Sequence, residues 1–410
     1  MAFGAQALPR IIVIGSERQA SQLASEIGDL TVRVIRESND GRTPRDVGSI
    51  VGELQSSFEG EHGGSCICLG RGTVSGGIEV AASAWAVFSQ NARRNLVWIG
   101  PTVSAAATFE NKLTGLRELA RRDLPVVSFC EQSDDIKSFP AVIKACKLTG
   151  GVGMRLVTTL EEAAASLAEL ASMHGAILFN ELRTGLEVSI EALVLPGGVV
   201  QPMACVFKEE CGRSLTHADW KVKIAVPLRA FPAGEALLLQ FTRAFPEVLG
   251  YVSIESIVSS DSGIPEIIEV ATRRTGNYAL SMAVGIEQEV TGALTHALGL
   301  PVVKHVKGRN LPGGVGLGLA LPMPATAFAE EEAEDLGEMV LSSVDVLGEL
   351  PGSAGSERVQ RLRLGFRALT DGTEEVEAVS RRFGQWALVD RHRLLINQMN
   401  DLSVTVGTRS

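Results

Sequence analysis

Apolar positions along this chain fall into short β-branched runs separated by stretches with helical spacing. "RIIVIG", residues 10 to 15, is a buried-strand run ending in Gly, and "ERQASQLASEIG" behind it carries apolar residues at helical period. "SCICLG" and "NLVWIGP" repeat the strand pattern, with "SGGIEVAASAWAVFSQNARR" between them as a helix. "DGRTPRDVGSIVGELQSSFEGEHGG" is polar enough for a loop plus a surface helix. Strands alternating with helices predict a parallel, doubly wound α/β domain over residues 1–105.

From residue 106 the pattern changes. "AAATFENKLTGLRELARRD" predicts a helix with basic residues at its favourable C-terminal end, and "LPVVSF" a strand. "FPAVIKAC" and "RLVT" predict two strands joined by the glycine-rich "KLTGGVGM", and "TLEEAAASLAELASMHG" a helix introduced by a Thr cap with Glu behind it. Here the glycines join two strands; in a dinucleotide-binding fold they would open a helix. "AILFNEL", "LEVSIEALVLPGGVVQ", "PMACVF", "KVKIAVP", "GYVSIESIV" and "PEIIEVA" then form a strand-rich region. Beyond "LPMPATAF" the chain turns acidic, with "FAEEEAEDLGEMVLSSV" expected as a surface helix and "ELPGSAGSERV" as a break. The expected units are therefore 1–105, 106–180, 181–300 and 301–410, an α/β and α+β protein.

Composition narrows the partners. The 410 residues are 45% apolar and 21% charged, with 38 basic against 48 acidic residues and a net charge of -10. That balance carries no footprint for nucleic acid or an anionic membrane, so an anionic ligand needs a local site. No uninterrupted run of about 18 apolar residues occurs, which leads us to expect a cytoplasmic protein. The six cysteines lack paired spacing and read as reduced, mostly buried thiols.

Four stretches could carry chemistry. In "FPAVIKACKLTGGVGM", glycine amides can approach an anion closely and Lys144 can supply a point charge; a tight hairpin with a surface lysine fits equally well. If "GYVSIESIV" and "PEIIEV" form a hairpin centred on Ser262, Glu255 and Glu269 stand opposite each other on one face. Like charges so placed need a neutraliser such as a divalent cation with oxygen ligands; a shifted register would instead leave both in solvent. Glu181 and Glu187 in "NELRTGLEVSIEALV" line a seam between subdomains or are solvated strand ends. Lys221 and Lys223 in "HADWKVKIAVP" share a strand face, either to neutralise an anionic substrate or to guard a sheet edge.

In order and spacing these pieces resemble the ATP-grasp superfamily, and within it the biotin carboxylase-like branch of carboxylate–amine ligases, from about residue 10 to 300. The fold implied is an ATP-grasp domain behind an N-terminal parallel-sheet domain. The resemblance matches Lys112 in "WIGPTVSAAATFENK" and Lys144 to the nucleotide-phosphate lysines, and Gly150, Gly151 and Gly153 to the flexible loop over the phosphates. It places Glu181 and the following backbone at the adenine, Glu187 at the ribose, Glu255 and Glu269 on magnesium, Lys221 on the γ-phosphate or small substrate, and Arg273 beside the transferring phosphoryl group.

Two departures stand out. The asparagine expected two positions after the second metal glutamate is Ala271, so the resemblance implies a second metal held more weakly, completed by water, or supplied by another residue such as Asn277, and "RTGNYALSM" stands where a carboxylase would activate bicarbonate. The implied cofactors are ATP and one or two Mg²⁺ ions. The implied partners are a small carboxylate and an amine, with homodimerisation through residues 301–410 left open. The implied reaction is ADP-forming amide synthesis through an acyl-phosphate; a biotin-type carboxylase and a nucleotide-binding protein without catalysis are the alternatives.

Overall fold

The computed structural model describes residues 10–15, 32–36, 38–39, 43–58, 66–70, 76–91, 96–148, 153–210, 221–259, 262–284, 292–293, 296, 315–324, 340–346, 359–368, 371–383 and 387–404. The segment "ERQASQLASEIG" lies outside the described residues.

Strands β1 (Arg10–Gly15), β2 (Val32–Arg36), β3 (Cys66–Gly70) and β4 (Leu96–Ile99) form a parallel sheet in the order β2-β1-β3-β4. Consecutive side chains of a strand point to opposite faces, and β1 is buried on both. Ile12 and Ile14 pack on Ile50 and Leu54 of α1 (Val47–Phe58) and on Trp85 and Phe88 of α2 (Gly77–Asn91), whereas Ile11 and Val13 join Leu193, Tyr251 and Tyr278 in a second core shared with the rest of the chain.

The expected single helix after residue 105 is two, α3 (Val103–Phe109) and α4 (Lys112–Arg121). Asn111 divides them because its side chain accepts from the amides of Leu113 and Thr114, capping a new helix. A second sheet follows, ordered β5-β8-β6-β7, from β5 (Phe129–Cys130), β6 (Ala141–Ala145), β7 (Met154–Val157) and β8 (Ile177–Glu181). One face is covered by α5 (Leu160–His174), which starts as expected: Thr159 caps the Glu162 amide while the Glu162 carboxylate accepts from Thr158.

The largest sheet runs β13-β12-β9-β10-β11-β14-β16-β15, built from β9 (Leu186–Leu195), β10 (Val199–Glu210), β11 (Lys221–Pro227), β12 (Gly250–Val258), β13 (Pro265–Ala271), β14 (Val315–Pro324), β15 (Val340–Val346) and β16 (Val359–Ala368). Its pairings are antiparallel, and strands from beyond residue 300 continue it without a break, since β14 pairs with β11. One face carries a core of Val188, Ile190, Phe207, Ile224, Ile254 and Leu317 against α6 (Pro232–Ala244), α8 (Thr373–Phe383) and α9 (Ala387–Asp401). α7 (Tyr278–Ala283) lies on the opposite face, where Gly316 must lack a side chain: a Cβ there would sit 2.5 Å from the Leu280 carbonyl oxygen. The end of "FAEEEAEDLGEMVLSSV" is strand β15, not helix, because its β-branched residues gain a partner in β16. Among the described residues no helix is long and apolar enough to cross a membrane. Cys130, Cys146 and Cys205 are free thiols, and burial pushes all three up in pKa.

Candidate functional site

On the large sheet, the face opposite the core is polar near one end. In antiparallel register Glu255 of β12 stands opposite Glu269 of β13. A β-bulge keeps it there: Glu255 pairs with Glu269 but Ser256 pairs with Ile267, so β13 holds one extra residue. Without it, Ile267 and Val270, three apart, could not both enter the core as they do. The bulge thus lets both sit inside while Glu269 and Ala271 face the other way. The turn stays centred near Ser262 as the spacing predicts.

Two lysines neutralise this opposed pair. Lys208 of β10 places its ammonium 2.5 Å from Glu187 and 3.0 Å from Glu255. Lys112, the first residue of α4, lies 3.3 Å from Glu269 and donates to the Leu148 carbonyl in the β6–β7 connection. Burial alone would discharge Lys208, but the flanking carboxylates of Glu187 and Glu255 push its pKa above the ordinary lysine value. Burial would raise Glu255, yet Lys208 and the other lysines hold it down to about 2. Lys208 and Lys112 thus bring opposite charge to both members of the pair, Glu255 and Glu269. Lys144 of β6 is also buried; desolvation lowers its pKa, opposed by the charges of Glu269, Glu187 and Glu255.

One step along the sheet, Glu191 of β9 is 5% exposed. It accepts from Ser253 at 2.8 Å, Thr275 at 3.1 Å and Asn277 at 3.4 Å. With no cation among these partners, burial raises its pKa. Asn277 also donates to Ser189 and accepts from Lys223 at 2.8 Å, so this substitute for the residue missing at Ala271 is engaged in a buried network. Ala271 itself pairs with Ser253. Arg273 is held by Glu110 at 3.1 Å, and Glu110 also accepts from the Gly76 amide, which ties the loop after β13 to the N-terminal domain. Arg274 stacks 3.1 Å above the Tyr278 ring, a packing role the sequence left unassigned.

At the seam between the two later sheets, Glu181 ends β8 and pairs with Arg183, which also reaches Glu266. Gly185 follows, where a Cβ would lie 2.4 Å from the Val258 carbonyl oxygen. Asn180 is 3% exposed, and neither its amide nitrogen nor its oxygen has a partner. By register Asn180 pairs with Val142 and Leu178 with Lys144, so Asn180 and Lys144 share a face of the small sheet. An orphaned buried amide costs free energy, which a ligand with complementary edges recovers. Gly153 takes φ +70°, a conformation glycine adopts without strain, and its carbonyl accepts from Ala145 to close the hairpin. Gly150 and Gly151 lie outside the described residues, as does the side chain of Lys221, whose backbone pairs with Glu210 and Ala320.

The structure thus gathers Lys112, Lys144, Glu187, Glu255 and Glu269 into one charged cluster, sets Glu181 at the seam between the two later sheets, and gives Arg273 an ion pair with Glu110. Lys208, Glu191, Asn180 and Glu110 belong to the same region, and sequence reasoning missed them. Lys208 and Glu191 had a legible signal, a charge inside an apolar strand run. The donor set suits particular ligands: two opposed carboxylates offer oxygen ligands of the kind a hard divalent cation takes, and an orphan amide on the same sheet face as a buried lysine fits the base and phosphates of a nucleotide. Among the described residues no group of three or more His, Cys, Asp or Glu forms a complete metal cage, so such an ion would complete its shell from phosphate and water.

Solved structures with this arrangement of sheets show that the chain has the ATP-grasp fold. The L-amino acid ligase from Bacillus licheniformis superposes with a TM-score of 0.61 at 17% identity, over 94% of this chain and 98% of that one. The biotin carboxylase from Campylobacter jejuni, solved as a β-γ-ATP complex, superposes with a TM-score of 0.54 at 13% identity, over 88% of each chain. Among curated proteins, phosphoribosylamine–glycine ligase of Pyrococcus abyssi (strain GE5 / Orsay) is 24% identical over 334 residues, 70% of this chain and 71% of that protein. No protein-family model matches the chain.

Proposed function

We propose that the protein is an ATP-dependent, ADP-forming ligase that joins a small carboxylic acid to an amine through an acyl-phosphate. The observation that carries this is the opposed pair Glu255 and Glu269, faced by Lys112 and Lys144. Amide synthesis by this route brings two anions together, a carboxylate and a γ-phosphoryl group, and the dominant need is preorganised positive charge.

In this scheme Asn180 and the backbone after Glu181 receive the base, Glu187 the ribose, and Lys144 with the glycine loop the phosphates. Glu255 and Glu269 would hold Mg²⁺, which supplies charge neutralisation at the phosphate oxygens. Lys112 and Lys144 lower the repulsion between the substrate carboxylate and the phosphoryl group. Arg273, released from Glu110 or shared with it, steadies charge on the transferring group, and the resemblance assigns Lys221 to the γ-phosphate or the small substrate. The carboxylate attacks the γ-phosphorus and ADP leaves; the amine then attacks the acyl carbon, loses a proton and expels phosphate. Positioning contributes most of the rate, so the scheme needs no nucleophilic Ser or Cys.

The test is a phosphate-release screen of paired amino acids and small carboxylates with ATP and Mg²⁺, with Glu269→Gln as the inactive control. ADP, phosphate and an amide are expected in equal amounts. AMP and pyrophosphate would overturn the acyl-phosphate route, and bicarbonate-dependent ADP release would favour a carboxylase. Nucleotide binding without turnover across the screen, relieved by Ala271→Asn, would favour a protein that kept the fold and lost the chemistry.

A further inference from the structure

Lys208 has no role in the scheme above, yet it sits at the centre of the site. Its register partner on β9 is Glu187, and from β10 the side chain reaches past β9 to Glu255 on β12. One ammonium, 7% exposed, therefore bridges the glutamate assigned to the ribose and a glutamate assigned to the metal. Glu269, the other metal glutamate, is already paired with Lys112. In this arrangement each metal carboxylate carries its own ammonium, and a divalent ion approaching Glu255 meets a fixed positive charge that must move first.

Resting on the nucleotide-site assignment, we propose that Lys208 is a resident counter-ion that keeps divalent metal off Glu255 until a nucleotide arrives. A ribose hydroxyl that engages Glu187 removes one of the two carboxylates holding Lys208. The polyphosphate offers its ammonium new acceptors, and Glu255 is freed for the metal that the phosphates bring with them. Loading is thereby ordered: metal enters with nucleotide and is excluded without it. Lys208 is a positioning residue in this scheme, acting through Glu187 and Glu255.

The experiment compares full-length wild type, Lys208→Met and Lys208→Arg, measuring Mn²⁺ binding by calorimetry and thermal unfolding with no addition, with Mn²⁺ alone, and with Mg²⁺ plus a non-hydrolysable ATP analogue. Wild type and Lys208→Arg are expected to ignore Mn²⁺ alone and to be stabilised by metal plus nucleotide. Lys208→Met should melt lower with no addition, bind Mn²⁺ alone about tenfold or more tightly than wild type, the effect of removing ~1.4 kcal/mol of competition, and recover its melting point in Mn²⁺. If Lys208→Met does not fold, the double variant Lys208→Met with Glu187→Gln, which removes one of the two carboxylates that lose the Lys208 ammonium, should show the same metal response. Mn²⁺ binding alone that is equal in wild type and the Met variant overturns the proposal, because a lysine that competes with metal for Glu255 cannot be removed without raising metal affinity. Failure of the analogue to stabilise wild type would instead overturn the nucleotide assignment itself.

Discussion

Glu191 offers the sharpest test of how this site is held together. It is a buried carboxylate whose partners are three neutral donors, from Ser253, Thr275 and Asn277, all on Oε1. Glu191→Ala strands those donors in a buried place; at roughly 1–3 kcal/mol for each unsatisfied group, with some relaxation, a loss of about 3 kcal/mol or more is expected. Glu191→Gln keeps an oxygen at the same position and removes only the charge, so it should cost little. The two forms must also differ with pH. Because burial raises the folded-state pKa of Glu191 above its ordinary value of 4.5, the native state binds more protons than the unfolded one between those values, and wild-type stability falls as pH rises through that window. Glu191→Gln lacks this loss, so its stability relative to wild type should climb with pH, by at most ~1.4 kcal/mol per unit, and level off on either side. Urea unfolding of both proteins from pH 4 to 9 measures it. A difference independent of pH, or one that moves against the glutamine as pH rises, would refute the assignment of Glu191 as a desolvated carboxylate without a cation.

Two further substitutions probe the ligand side of the site. Asn180→Ala removes an amide with no partner in the ligand-free protein, so the melting temperature should hold or rise while nucleotide affinity falls by about tenfold, the loss of one well-formed hydrogen bond; calorimetry and thermal unfolding together decide it, and a lower melting temperature with unchanged affinity would assign Asn180 to the fold. Ala271→Asn restores an oxygen ligand on the face that carries Glu269, and the Mg²⁺ concentration for half-maximal turnover should fall severalfold; an unchanged metal dependence would show that position 271 lies out of reach of the ion.

Much of this architecture was legible because its signals are local. Period-2 and helical patterns gave the parallel N-terminal sheet, the small sheet with its Thr159-capped helix, and most strands of the large one. The turn at Ser262 and simple symmetry put Glu255 opposite Glu269, as the structure has them. What escaped was whatever depended on partners distant in sequence. Lys208 sits between Glu187 and Glu255, 21 and 47 positions away, and no local pattern says which strands flank β10. Glu110 meets Arg273 across 163 positions. The break of the helix at Asn111 was missed for a different reason: the flanking residues have the period of one helix, and only the cap interrupts it. The strand at Val340–Val346 was lost because the acidic run before it favours helix, whereas pairing with β16 decides the outcome.

Under the proposed function, these long-range pairs also suggest how an acidic chain would hold a polyphosphate. A net charge of -10 repels such a ligand at a distance, so attraction has to come from cations close to it and shielded from solvent. Lys112, Lys144 and Lys208 are all buried, which strengthens their fields, but three buried ammonium groups alone would be costly. Glu187, Glu255 and Glu269 offset that cost by pairing with Lys208 and Lys112. The same carboxylates are the groups a ribose and a metal ion would engage. In the proposed scheme nucleotide binding would be an exchange of partners: each glutamate that turns to the ligand frees the positive charge the phosphates need. Under the proposed function, such a site would become strongly cationic only when both the nucleotide and its metal are present.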